Sequence, residues 1–455
     1  MHADSFSPGV TTGNNDPWWR DLTRYHWFVF SVAALGWLFD TMDQQLFNLA
    51  RAPAVNELVT GTSHDPGRFS GLATMIFMIG WATGGIIFGI LGDRLGRAKT
   101  MVLTILLYSL FTGLSALSYG IWDFIFYRFL TGLGVGGEFA VGVALVAEVM
   151  PDRARPHALG LLQALSAVGN ITAAVIVIIM GQLKSAGIIG TAWRWMFVIG
   201  VVPALLAVVA MRRLKEPERW KAAAAREVST RLGSFKELFG DPRLRRNAIV
   251  GLLLATSGVI GLWGIGFYVF ELIRNVMHET FAGEGLSPDA IEAKMTTWTG
   301  IASVLLNLGA FVGIWAFSRF TASHGRKPAF AFAFLLALLG TSLTFWFLKS
   351  FSDIIWMMPL FGFCILSLFG GYAIYFPELF PTRLRSTGTS FCYNVGRYLA
   401  SPGPLALNFL AGTVYGSYGK EMSWRLAGIT MCACFLLGMA ALPFAPETKG
   451  QPLPE

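Results

Sequence analysis

The 455-residue chain is 54% hydrophobic and 14% aromatic but only 14% charged, against about 25% charged in an ordinary soluble domain. That many apolar side chains in one chain cannot all be hidden in cores, so a soluble multidomain protein is excluded and lipid is the expected solvent. The 35 basic residues against 27 acidic ones leave a net charge of +8, which would suit nucleic acid only if it formed one basic face.

In chain order, residues 1–25 are expected to form a polar tail. They lack the basic start, apolar run and small-residue cleavage site of a signal peptide. Twelve apolar runs follow, each close to the roughly 20 residues that cross about 30 Å of hydrocarbon: 26–50, 70–91, 100–119, 122–149, 157–180, 195–211, 247–272, 296–318, 328–348, 353–376, 386–411 and 424–444. Continuous runs such as Ala173 to Met180 are the opposite of the alternating strands of a membrane barrel. Residues 212–246 are too polar to span and predict a linker between two bundles, 26–211 and 247–444, with a surface helix in its KAAAAREV segment. Residues 445–455 form the C-terminal tail. With the N-terminus inside, 24 of the 35 basic residues fall on the inner side and 9 outside, while Arg128 and Arg397 lie within spans. Cytoplasmic loops keep such an excess, so both termini are predicted cytoplasmic, at the cell (inner) membrane. The positive charge thus records orientation, and no nucleic-acid partner is expected. Cys364, Cys392, Cys432 and Cys434 sit in apolar stretches without metal-ligand spacing and read as packing residues.

An internal repeat divides the chain. Glu148, Pro151, Arg153 and Arg155 recur as Glu378, Pro381, Arg383 and Arg385; Gly96 and Arg97 as Gly325 and Arg326; Trp193 and Arg194 as Trp424 and Arg425; Pro217 and Glu218 as Pro446 and Glu447, all at offsets of 229 to 231. Two related six-span halves around a central cavity are a transporter architecture. Asp93, Arg97, Glu148, Arg153, Glu378 and Arg383, at the inner helix ends, are the candidate gate, opposite charges that pair in one state and part in the other.

Ionisable groups within spans are costly and usually functional. Asp40 and Asp43 lie three apart on one face of span one and are candidates to exchange a proton, with Arg128 of span four as counter-charge. Glu138 interrupts span four and is a further protonatable candidate. Gln163 and Asn170, two turns apart in span five, Asn307 in span eight, and Asn394 with Arg397 in span eleven are the candidate substrate contacts. The planar fork of Arg397 suits a carboxylate.

The loop between spans two and three, with Gly89, Leu91, Asp93, Arg94, Gly96, Arg97 and Lys99, resembles the signature of the major facilitator superfamily. Arg128 with Gly132, Gly134 and Gly136, KEPERW at 215–220 and PETKG at 446–450 resemble its sugar porter and organic-acid:proton symporter branches. That resemblance implies an all-α membrane protein of 12 transmembrane helices in two pseudo-symmetric six-helix bundles. It implies that Asp40, in LFDT, and Arg128 form the proton-coupling pair, and that Gln163 and Asn170 match positions that bind sugar hydroxyls. Span seven, however, lacks the paired glutamines of sugar porters, and Leu368 and Ala373 stand where their tryptophans would. NVGR at 394–397 resembles the organic-acid carriers instead.

The GxGxxG spelled by Gly132, Gly134 and Gly137 has no preceding strand and reads as close helix packing, not a dinucleotide site. There is no GxxxxGK[ST], HExxH or GxSxG in the chain, so an ATP-driven pump, a metalloenzyme and a serine hydrolase lack their motifs. Span five also lacks the Gly-Pro element of drug:proton antiporters. The expected function is proton-coupled uptake of a small polar metabolite, an organic acid anion such as a sugar acid or aromatic carboxylate. The proton gradient replaces any cofactor, substrate and proton are the partners, and the unit is a monomer in the bilayer. A neutral sugar:proton symporter is the alternative, followed by a passive facilitator and a transporter-like sensor.

Overall fold

A computed structural model describes residues 17–455 apart from 65, 204, 206–208, 211–212, 226–231, 267, 284–287 and 401–402. The first 16 residues of the expected tail, part of the sixth span and the end of KAAAAREV lie outside the described residues. All regular elements among the described residues are helical. In chain order they are α1 (Arg24–Val59), α2 (Pro66–Leu95), α3 (Arg97–Ser115), α4 (Ile121–Val149), α5 (Arg155–Ser185), α6 (Ala192–Ile199), α7 (Glu218–Ala225), α8 (Phe235–Gly240), α9 (Pro242–Val259), α10 (Tyr268–Ala282), α11 (Pro288–His324), α12 (Arg326–Phe347), α13 (Phe351–Tyr375), α14 (Arg385–Ala400), α15 (Gly403–Phe409), α16 (Lys420–Met431) and α17 (Cys434–Ala441).

Nine helical stretches among the described residues are long and apolar enough to cross a membrane. Runs 26–50, 195–211 and 386–411 are not among them: the first carries the polar Asp40, Asp43 and Gln44, and the other two run into residues outside the described ones. Two expected spans are subdivided. A π-helical stretch, Ile260–Gly266, interrupts the seventh between α9 and α10, and the twelfth comprises α16 and α17. In the eleventh, α14 and α15 flank residues 401–402, which lie outside the described residues. The helix α7 begins the expected surface helix of the linker and buries no residue. Large apolar side chains such as Leu110, Ile178, Leu205, Phe332, Phe347 and Trp356 are exposed on the outside, as a lipid-facing surface requires.

The helices meet closely where side chains are smallest. A Cβ on Gly132 or Gly136 of α4 would run into the α2 backbone at Phe77 and Trp81, so the GxG pattern is a helix-packing seam. The sequence repeat is repeated in geometry. Gly96 and Gly325, at φ +111° and +102°, precede α3 and α12 without any side-chain cap of their own. A distant glutamate caps each helix instead. Glu216 accepts from the Ala98 and Lys99 amides at 3.1 Å each, and Glu447 from those of Arg326 and Lys327 at 2.9 and 3.0 Å. Glu216, not Glu218, is therefore the counterpart of Glu447. Arg194 and Arg425 likewise bind carbonyls at or just beyond the C-terminal ends of α3 and α12, Ala116 and Ser118 for the first, Phe345 and Leu348 for the second.

Candidate functional site: a central cavity above a charged latch

The N-terminal segment, linker and C-terminal tail gather at one end of the bundle, hereafter the linker face. Asp21 lies 3.8 Å from Arg153, Arg94 donates to the Leu232 carbonyl, Arg383 pairs with Glu237 at 2.8 Å, and Arg385 donates to the Pro454 carbonyl. The two halves are fastened together there. Glu148 Oε1 receives Arg97 of its own half at 2.9 Å and Arg385 of the other half at 2.8 Å. Asp93 pairs with Arg97 at 3.0 Å and accepts from the Ser386 and Thr387 amides at 3.1 and 2.8 Å. These amides open α14, where unpaired N–H groups and the helix dipole favour an anion. Arg97 also donates to the Thr382 carbonyl at 2.5 Å.

Three of the six expected gate residues, Asp93, Arg97 and Glu148, thus bridge the halves. Glu378 does not: it binds Arg326 of its own half at 2.7 Å. Arg153 and Arg383 are corrected to Arg155 and Arg385 as the buried arginines of the repeated motif. Arg153 and Arg383 point outward to Asp21 and Glu237, whereas Arg155 and Arg385 turn back to the carbonyls of Ala147 and Pro377 at 3.0 and 3.1 Å. In each motif the second arginine opens a helix, a position that the linear spacing alone does not reveal.

The charges within the spans are arranged differently from the expected Asp40–Arg128 pair. Arg128 lies 3.8 Å from Asp43, donates to Ser115 Oγ at 2.7 and 3.0 Å, and lies over Phe197 at 4.7 Å. Thr112 donates to the other Asp43 oxygen at 2.8 Å. Asp40, fully buried one turn away, accepts among the described residues only a long 3.4 Å hydrogen bond from Gln44 and lies within electrostatic reach of Arg397. On a helix, a spacing of three rotates two side chains about 60° apart, enough to give them separate partners.

Between the halves lies a cavity with about 150 Å³ of open volume. Gln163, Asn170, Asn307 and Arg397 line it, and Asn170 donates across the halves to Asn307 at 3.0 Å. Arg397 lies 4.0 Å over Trp81 and 4.4 Å over Tyr393, and donates to the Tyr393 carbonyl and Asn394 Oδ1 at 2.9 and 3.0 Å. Its Nε has no hydrogen-bond partner among the described residues. Asn394 is not part of the lining: it holds Arg397 and is itself tied to Ser390 at 3.0 Å. The sequence reading missed Gln44, Gln45 and Asn48 of α1, which add amides to the wall, and Trp37 and Trp81, which add aromatic faces. Their signal was available, since these amides extend the polar face that starts at Asp40.

The model of the Major Facilitator Superfamily matches residues 33–404. The chain belongs to the major facilitator superfamily. A putative metabolite transport protein of Haemophilus influenzae is 29% identical over 95% of this chain and 99% of its own length. The cis,cis-muconate transport protein of Acinetobacter baylyi is also 29% identical, over 93% and 95%. A structure of the proton:xylose symporter XylE superposes with a TM-score of 0.73 at 16% identity, covering 94% of this chain and 98% of that one, which shows a common fold. This superfamily member is a multi-pass membrane transporter, not an enzyme. Its cavity is the place where a small molecule would be held between the halves.

Proposed function

We propose that the protein imports a small organic acid anion together with a proton, by alternating access across the cell's inner membrane, as a monomer with its linker face in the cytoplasm. The observation that carries this reading is Arg397, a buried guanidinium in the cavity wall against the faces of Trp81 and Tyr393, with no partner for its Nε among the described residues. A fixed fork of this kind suits a carboxylate, and Trp81, Trp37 and Tyr393 suit a flat unsaturated body beside it. The full-length relative named for cis,cis-muconate, an unsaturated dicarboxylate, supports the same substrate class. The closed latch at the linker face, with the basic-residue asymmetry, supports a carrier loading from outside. A neutral sugar is the second reading, favoured by the amides of Gln44, Gln163, Asn170 and Asn307 around the cavity and by the fold shared with XylE.

A thermal-shift series with cis,cis-muconate, benzoate, gluconate and D-xylose separates the two. At one hundred times Kd a true ligand adds about 2.7 kcal/mol to apparent stability. The acids are expected to stabilise the wild type. In Arg397→Lys their apparent affinity should fall tenfold or more, about 1.4 kcal/mol, because the fork is lost although the charge remains. Stabilisation by xylose alone, unchanged in Arg397→Lys, would move the assignment to a sugar. Accumulation of the bound acid in vesicles under an imposed pH gradient, inside alkaline, tests the coupling to protons.

A further inference from the structure

Glu138 has no place in the ion pairs described so far, yet it is buried to 1% exposure in the middle of α4. One oxygen accepts from Thr104 of α3 at 3.1 Å, and Oε1 has no hydrogen-bond partner among the described residues. That oxygen sits where a Cβ on Gly36 would be, one helical turn before Asp40 on α1. Glycine at that position is what lets the Glu138 carboxyl approach α1. Asp40 Oδ1 likewise has no hydrogen-bond partner among the described residues, and the two carboxyls lie within electrostatic reach of each other. The other ionisable groups facing them are Asp43 on α1, Tyr108 on α3, and Tyr393 and Arg397 on α14. Arg128 is already committed to Asp43. Among the described residues the pair therefore has one cation in reach, Arg397, which faces Asp40 and whose guanidinium is also the candidate anchor for a substrate anion.

We propose that Asp40 and Glu138 work as one carboxyl pair that takes up the transported proton when a substrate carboxylate engages Arg397, while Asp43 and Arg128 act as a fixed brace between α1 and α4. This rests on the anion reading above. Two like charges in one low-dielectric site cannot both stay ionised without a compensating cation. When the anion draws Arg397 toward itself, the pair loses that compensation, and a proton from bulk water forms an O–H bond on one of the two carboxyls. The proton offsets one negative charge of the entering anion, neutralising a monocarboxylate fully, and this charge-compensated state is the one in which the loaded halves can reorient. Release of the anion returns Arg397 to Asp40 and expels the proton. Coupling of this kind is a reciprocal linkage between two sites through a shared group.

The test needs no substrate. Infrared difference spectra of the full chain in lipid vesicles, recorded through a pH titration, read the carbonyl stretch of protonated carboxyls. Arg397→Gln, which removes the cation as an engaged anion would, is expected to increase that band at pH 7 by about one carboxyl relative to wild type. Asp40→Asn should move the pH at which the Glu138 band titrates by a unit or more, a tenfold change in its proton equilibrium, and Glu138→Gln should remove that band. Asp43→Asn should leave the titration within a few tenths of a unit of wild type. Thr104→Val, which deletes only the hydrogen bond to Glu138, should shift the band's frequency and thereby assigns it even if Glu138→Gln folds poorly. An unchanged band in Arg397→Gln, or a shift in Asp43→Asn as large as in Asp40→Asn, would overturn the proposal. Because no transported molecule is involved, such a failure is distinct from failure of the anion reading, which would show as no acid-induced stabilisation of the wild type.

Discussion

At the linker face the two halves carry the same fitting, an arginine at the start of one membrane helix held by a glutamate at the end of the next. Arg97 and Arg326 each donate through Nε to Glu148 and Glu378, at 3.2 and 2.9 Å, and through Nη1 to the carbonyls of Gly92 and Thr321 at 2.7 and 3.0 Å. The surroundings then diverge. In the C-terminal half Thr448 donates to Glu378 Oε2 at 2.6 Å, and Arg326 occupies Oε1, so the carboxylate is used up within its own half. By the alignment that pairs Glu216 with Glu447, Pro217 stands where Thr448 would. Glu148 Oε2 has no partner among the described residues, and Oε1 reaches Arg385 across the divide. Asp93, which caps α14 of the opposite half, corresponds to Ala322. One copy of the motif braces its own bundle and the other ties the two halves together, and a few neighbouring side chains decide which.

The sharpest way to break this contrast is to neutralise the two glutamates separately. Removing one partner of a buried ion pair costs about 3 to 5 kcal/mol, because the other charge is left uncompensated. In Glu148→Gln that cost falls on the closed arrangement of the halves. Spin labels at the exposed Leu95 and Ser323 should move apart in distance measurements, and transport should be lost. In Glu378→Gln the same cost falls inside one bundle, so the melting temperature should drop while the label distance stays near wild type. Equal label displacements in both variants would show that the halves are not specialised in this way. Thr448→Val is the milder probe. It removes one hydrogen bond to a charged acceptor, worth about 1.5 to 3 kcal/mol, and should lower the melting temperature by less than Glu378→Gln does. It should also leave Arg326 Nε as the remaining donor to Glu378 Oε2 and open that oxygen to Arg155, which lies within its electrostatic reach, and so shift the label distances toward the closed population.

Much of this was legible in the sequence because lipid imposes long apolar runs on it. The approximate spans, the repeat and the cavity positions of Gln163, Asn170, Asn307 and Arg397 follow from hydropathy, self-similarity and isolated polar residues. Partner choice was not legible. Asp40 and Asp43 share a helix face, and only the placement of α3 and α4, with Ser115, Thr112 and Arg128 around Asp43, decides which of them takes the arginine. Arg153 and Arg155 read as equivalent until the start of α5 turns one of them inward. The breaks within the seventh and twelfth spans escaped because hydropathy averages over a window and does not register a local change of helical pitch.

The smallest expected effect concerns the trans caps. Glu447 lies outside the spans and half in water. Burial pushes its carboxyl up, but the amides of Arg326, Lys327 and Lys449 and the charge of Arg326 outweigh that and hold it below the ordinary glutamate value. A group whose folded value is depressed contributes stability that is present above its unfolded value, near pH 4.5, and is lost as the pH falls through the lower folded value. An anion over the first turn of a helix adds about 0.3 to 1 kcal/mol when partly exposed, and solvent screening keeps Glu447 toward the lower end. Glu447→Gln should therefore melt slightly earlier at pH 7, with the deficit relative to wild type shrinking below pH 4.5. The comparison is with Glu216→Gln, which uncaps α3 beside the latch. If the trans caps matter equally to both bundles, the two variants lose similar stability at pH 7, and only Glu216→Gln should also change the Leu95–Ser323 distance, because α3 carries Arg97 and with it the grip on Glu148.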